Sequence, residues 1–252
     1  MQKQPPLILL LLAVLQPLSG ALAPLLDIGT PIGNATRDLG APEQPLPVFF
    51  SIWSLIFLAY LVFSLFAIFR RETWMERIAL PLVIAGMLNV IWMLSAQLIV
   101  SPPVDFALLF PIGVAAWYSA WRFDRMRGMG GSAAKLTADA VTGLLSGWIT
   151  VAAAISVPIT IRHTTTLGPT DYPWLMLWAT LVPAALAAWF FTRFVSRSAW
   201  FFVALGWGLL GILLNNWTVT GMNWLAIITG VVAVLVLYLR MTRGAHGAAA
   251  AA

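Results

Sequence analysis

Trp53, Phe57, Tyr60 and Ser64 follow one another at spacings of four, three and four in an unbroken apolar stretch that begins PLPVFFSIWSLIFLAY at Pro45. Helical periodicity puts all four on one face, and Asn89 and Trp92, three apart in LNVIW at Leu88–Trp92, share a face of the next apolar segment. Such faces are aromatic with a little polarity. Their natural chemistry is the binding of flat, largely apolar molecules, whose burial against rings yields roughly 25 cal/mol per Å², with about 0.5–1.5 kcal/mol more for each well-placed ring pair. That suffices for micromolar affinity after the costs of association.

Sharper chemistries lack their residues. The 252 residues include no cysteine, which excludes disulfides, thiolate metal sites and cysteine nucleophiles. Lys3 and Lys135 both fall in polar segments, so a retinal Schiff base has no anchor. His163 sits at the edge of an apolar run and His246 in the C-terminal tail, which argues against a buried haem ligated by histidine. The apolar runs hold almost no ionisable side chains, which argues against a proton pump or ion-coupled transporter. No nucleophile–base pair and no metal-ligand cluster is legible. The chain is therefore expected not to be an enzyme and to carry no metal and no covalent cofactor.

The elements that must position these rings follow from composition. With 61% hydrophobic and 9% charged residues, the chain cannot cover one core with a soluble surface, so it is an integral membrane protein whose first partner is the lipid bilayer. Charge-free runs at residues 44–69, 78–104, 106–121, 140–161 and 172–191 are each near the ~20 residues that span about 30 Å of hydrocarbon. The run 4–26 ends in the small residues SGALA and imitates a signal peptide. It is read as a retained helix, because Pro24 directly after Ala23 is a poor context for cleavage. The run 198–239 is too long for one span, and the polar NNWTVTGMN at Asn215–Asn223 divides it in two. The expected fold is all-α: a polytopic bundle of about eight transmembrane helices. Asp27–Gln44 forms a Gly- and Pro-rich loop long enough to act as a lid, and the low-complexity tail 244–252 is expected to be disordered.

Loop charges test this count. With eight spans, Arg37 and Arg162 fall on one side of the membrane and the other twelve of the fourteen basic residues on the other. Merging the last two spans would carry Arg240 and Arg243 across and weaken the bias. Because basic loops stay cytoplasmic, both termini are expected in the cytoplasm. The net charge of +5 thus reports orientation, and no nucleic-acid partner is implied.

PLPVFFSIWSLIF, LNVIW, Val104–Asp105 at the start of the fourth span, and GLLSGWITVAAAIS at Gly143–Ser156 resemble, in order and spacing, the signature segments of the tryptophan-rich sensory protein family (TspO/MBR, the translocator proteins). The resemblance covers about the first 165 residues. It implies a five-helix bundle over 1–165, with three additional transmembrane helices over 166–243 outside it. Two positions depart from the pattern. Pro47 stands where the family's Pro-Pro-x-Trp element has its Trp, and Ser156 stands where an Asn usually follows the fifth-span Trp by eight residues. The resemblance implies porphyrins and related tetrapyrroles, held non-covalently, as the ligand class, with sensory or transport roles.

Depth makes one site plausible. Trp53 and Trp92 fall in the outer half of their spans, Ser156 near the outer end of the fifth and Asp105 at the outer start of the fourth, so a pocket would open outward beneath the first loop. The candidate ligand-binding residues are Trp53, Phe57, Tyr60, Asn89, Trp92, Asp105, Trp148 and Ser156. Each has a plainer role to set beside this one. Trp53, Trp92, Trp148 and Trp207 suit bundle packing, Asn89 suits a bond to a neighbouring helix, and Asp105, after Ser101-Pro102-Pro103, suits a helix cap. Gly143 and Gly147 form GxxxG, which permits close helix packing. Trp74, Trp121, Trp174, Trp189, Trp200, Trp217 and Trp224 suit interfacial belts. Two functions follow: a membrane receptor or carrier for a planar lipophilic ligand, or a structural or assembly subunit, working as a homodimer or within a larger membrane complex that includes pigment.

Overall fold

Helix boundaries fall where the backbone is forced to turn. In the computed structural model, which describes residues 5–32, 41–70, 72–126 and 132–249, the chain begins with α1 (Pro5–Gly20) and the short α2 (Leu22–Leu26). A 3₁₀ turn, Pro47–Ser51, leads into α3 (Ile52–Arg70), followed by α4 (Thr73–Leu98) and α5 (Pro102–Asp124). Pro102 and Pro103 cannot continue a preceding helix but suit the first turn of a new one, and Val100 reverses the chain before them with φ 52°. Next come α6 (Ser132–Thr164), α7 (Pro173–Phe190) with a π turn at Phe191–Val195, α8 (Ala199–Thr218) and α9 (Asn223–Ala249). Gly221, at φ 68°, makes the tight turn between α8 and α9 that the polar NNWTVTGMN stretch predicts.

Seven of these helices are long and apolar enough to cross a membrane, and the 16-residue α1 is shorter. The expected first span is thus built as α1 and α2 in succession, bent at Ala21. It belongs to the bundle, since α1 packs on α3 and α4 with Leu9 and Leu12 in the core. The all-α polytopic architecture is as read from the sequence. α9 runs on to Ala249, into the low-complexity tail. Alanine has the highest helix propensity, so an Ala-rich end readily prolongs a preceding helix.

α6 is the hub, packing against α3, α5, α7 and α8. Its GxxxG face does what the motif suggests, with α8 as partner. A Cβ on Gly143 would lie 2.8 Å from Trp200 Cβ, and one on Gly147 3.0 Å from Ala204 Cβ, so only glycine allows the two backbones this close. The first seam, between α1 and α4, is polar at its heart. Asn89 Nδ2 donates to Gln16 Oε1 (2.9 Å), Gln97 Nε2 donates to Ser19 O (2.7 Å), and Ala23 N donates to Gln97 Oε1 (2.8 Å).

The two ends of the bundle are fixed differently. At one end Asp124 Oδ1 accepts from Ser196 Oγ (3.2 Å) and Arg197 N (3.1 Å), tying the α5–α6 connection to the α7–α8 connection. At the other, the fully buried Glu43 pairs with Arg162 Nε at 2.8 Å, and Arg162 Nη1 also donates to Gly168 O. The stretch from Ala41 to Phe49, after the undescribed part of the first loop, is also held by α8. Asn215 Nδ2 donates to Ala41 O (3.0 Å), Asn216 Nδ2 to Pro42 O (2.6 Å), Leu46 N to Gly211 O (3.3 Å) and Trp207 Nε1 to Phe49 O (2.8 Å).

Candidate functional site

Three indoles from three helices meet in the core. Trp53 of α3 lies 5.8 Å from Trp92 of α4 and 6.3 Å, edge-on, from Trp148 of α6, measured between ring centroids. Phe57 stacks behind Trp53 at 5.6 Å and an interplanar angle of 22°, and Phe50 meets Trp148 edge-on at 5.6 Å. α4 carries Trp92 here because a 26-residue helix starting at Thr73 brings its last third up beside α5 and under the first loop.

Beside this cluster is a cavity of about 70 Å³. Trp92, Trp148, Asp105 and Ser156 line it, together with Phe50 and Ile32 among others. Four of the eight candidate residues therefore share one wall. Trp53 touches two of the lining indoles and Phe57 supports it, so six of the eight form one assembly. Ile32 places the described part of the first loop against the cavity. The middle of the expected lid, 33–40, lies outside the described residues.

Two candidates stand apart. Tyr60 is fully buried and gives its hydroxyl to Leu82 O on α4, where the missing side chain of Gly86 makes room for it. Asn89, also fully buried, turns to Gln16 on α1. Neither lines the cavity, and both serve helix packing in this structure.

Asp105 does not cap α5. It lies inside the helix, whose N-cap is Ser101, and its Oδ1 accepts from Ser95 Oγ at 2.9 Å, so it joins α5 to α4. The Pro102–Pro103 start moves the helix N-terminus back by a turn, leaving Asp105 past the capping position. Trp74, read as an interfacial residue, is buried instead: its Nε1 donates to Glu72 and its ring packs on Phe123. Trp207 is 36% exposed and binds the Phe49 carbonyl, away from the cavity.

The electrostatics of the wall are unusual for a buried place. Trp53 Nε1 and Trp92 Nε1 are buried and have no hydrogen-bond partner among the described residues, and Asn89 Oδ1 has none either. An unpaired buried donor costs about 1–3 kcal/mol, so two on adjacent rings mark a cluster that is not optimised for stability alone. By contrast Ser156 Oγ is satisfied by Ala152 O (2.8 Å). The arrangement can grip a flat apolar body between rings and offer N–H donors to an acceptor at its edge. Among the described residues no group of three or more His, Asp or Glu side chains could hold a metal ion.

Sequence reasoning missed Phe50, although it precedes Trp53 by one helical turn in the motif already singled out. It also missed Leu109, Ile155 and Ile159, which line the cavity but carry no signal as apolar residues in apolar spans.

A family model described as TSPO-like protein matches residues 7–241. The matched stretch includes α7, α8 and most of α9, beyond the 165 residues over which the signature segments were recognised. No curated protein and no solved structure matches the chain.

Proposed function

The chain belongs to the TSPO-like protein family, and on that premise we propose that it is a membrane receptor or carrier for a planar lipophilic ligand of the tetrapyrrole class, bound in the aromatic cavity. The observation that carries this reading is the pair of buried indole N–H groups of Trp53 and Trp92, unpartnered among the described residues, on rings 5.8 Å apart of which Trp92 lines the cavity and Trp53 packs behind it. Rings packed only for stability in hydrocarbon do not require such donors. A ligand with a carbonyl or carboxylate on a flat apolar frame supplies the acceptor, and Trp148 and Phe50 supply further ring surface.

The cavity of about 70 Å³ is smaller than the roughly 300–1,000 Å³ of sites for drug-sized ligands. A tetrapyrrole therefore enters only with outward movement of part of the wall. Ile32, on the first loop, and Leu109, on α5, are apolar wall residues whose displacement breaks no side-chain hydrogen bond. Basic-residue bias orients the bundle with both termini cytoplasmic and the cavity toward the opposite side.

The alternative, an assembly subunit in a homodimer or larger complex, draws on the exposed aromatics of α7 and α9, where Trp174 and Trp224 pair at 3.9 Å on the surface. One preparation separates the two readings. Protein purified in mild detergent is titrated with protoporphyrin IX and with its iron complex, and its mass is measured. Saturable binding of both porphyrins is the expected result, with His163→Ala binding like the parent. No binding, together with stoichiometric protein partners, would favour the assembly role; preference for the iron form alone, lost in His163→Ala, would replace stacking with axial ligation.

A further inference from the structure

A second hollow lies on the outer surface of the bundle and shares a wall with the cavity. α5 and α7 both pack on α6, but α5 meets α7 only around its C-terminal end and the π turn that follows. There Trp117 lies against Phe190 and Phe191, at 6.0 and 5.4 Å between ring centroids. From that apex the two helices diverge and leave a crevice of about 340 Å³ over α6. Small side chains carve it, with Gly113 on α5, Ala153 on α6 and Pro183 and Ala187 on α7. Val114, on its rim, is 71% exposed, which in a bilayer means exposed to lipid.

Leu109 lines both the crevice and the cavity, and is itself 1% exposed. On α6 the neighbours Ala152 and Ala153 face the cavity and the crevice respectively. The helices that form this partition are the ones with prolines beside it, Pro111 in α5 and Pro158 in α6. Each proline removes one backbone hydrogen bond of its helix, which eases local bending. The volumes also divide the roles: the crevice reaches the range of small-molecule sites and the cavity does not.

We infer that the crevice is the membrane-side vestibule of the cavity: the planar lipophilic ligand binds there from the bilayer and reaches the three indoles when Leu109 swings aside. The occupant is the cavity's own ligand, because the two spaces share a wall and the crevice is apolar on every side but Thr150. This inference rests on the cavity being the ligand site.

Stopped-flow mixing of protein in vesicles with vesicles holding protoporphyrin IX, followed by tryptophan quenching, tests it. Ala153→Phe and Gly113→Leu plug the crevice from two helices without touching the cavity, Leu109→Ala opens the partition, and Val231→Phe on the exposed face of α9 is the control. A portal governs both directions of passage, so each plug should slow association and dissociation about tenfold and leave Kd within about twofold, while Leu109→Ala speeds both. Unchanged rates in both folded plug variants, with binding intact, would overturn the vestibule and leave the crevice to lipid chains. Failure of the parent itself to bind would instead overturn the cavity reading, and the vestibule with it.

Discussion

α4 has two buried polar faces, and they are treated in opposite ways. Toward α1, Gln97 uses its amide in both senses, donating to Ser19 O and Met93 O and accepting from Ala23 N. On the cavity side, Trp92 carries a buried indole N–H with no partner among the described residues, and so does the neighbouring Trp53. Asn89 and Trp92 are only three residues apart, an offset of about 60° around a helix, yet Asn89 joins the first face and Trp92 the second. In hydrocarbon every buried polar group seeks a partner, so the bonded amides of Gln97 and of Asn89 Nδ2 act as glue between helices, whereas the unpartnered N–H groups of Trp92 and its neighbour Trp53 are open to completion by a bound molecule.

The largest effect is expected where a buried pair is most completely satisfied. Glu43 and Arg162, both buried, form an ion pair that closes the loop end of the bundle. Arg162→Leu leaves a buried carboxylate without its cation and should cost about 3–5 kcal/mol, whereas the double variant Glu43→Leu/Arg162→Leu should recover much of that loss. Thermal melting in detergent checks both. Equal destabilisation of the single and double variants would mean that the pair acts through packing alone.

Gln97→Leu removes the hydrogen bonds from α4 to Ser19 on α1 and Ala23 on α2, with one inside α4, and should lower stability by about 1–3 kcal/mol while leaving porphyrin affinity unchanged. Trp148→Ala should show the reverse bias, weakening binding by about 1–3 kcal/mol, with Trp148→Phe costing less because a ring face survives. If both variants lost stability and affinity in parallel, the two faces would not be functionally distinct. A smaller effect is expected from Trp92→Phe on stability: deletion of an unpartnered donor should leave melting unchanged or raise it slightly, in contrast to Gln97→Leu.

Much of this was legible in the sequence because the bilayer constrains it so strongly. Span lengths, the division of 198–239 and the close packing at Gly143 and Gly147 follow from hydropathy, polarity and side-chain size, and the meeting of Trp53 with Trp92 follows from both falling in the outer half of neighbouring spans. What was not legible depends on which long-range partner a polar group finds. Asn215 and Asn216 read as turn polarity, yet they hold the backbone at Ala41 and Pro42, 174 residues away. Asp105 reads as a cap because the motif for a cap is local, and its bond to Ser95 depends on how α4 and α5 cross. Apolar lining residues such as Leu109 and Ile155 cannot be told from lipid-facing ones by type. The helices α7 to α9 read as an addition, but α8 fastens the loop beside the cavity and fills the glycine face of α6, so the fold uses it as part of the same core.

The most direct test is a protoporphyrin IX titration of Trp53→Phe/Trp92→Phe beside the parent, read by tryptophan quenching and paired with melting of each protein. This variant keeps both aromatic faces and deletes both donors. The expected result is an affinity lower by about tenfold, equivalent to about 1.4 kcal/mol for the lost hydrogen bonding, with a melting temperature equal to or above the parent's. Parent-like affinity, or an affinity loss that tracks a fall in melting temperature, would show that these two N–H groups are not kept for a ligand.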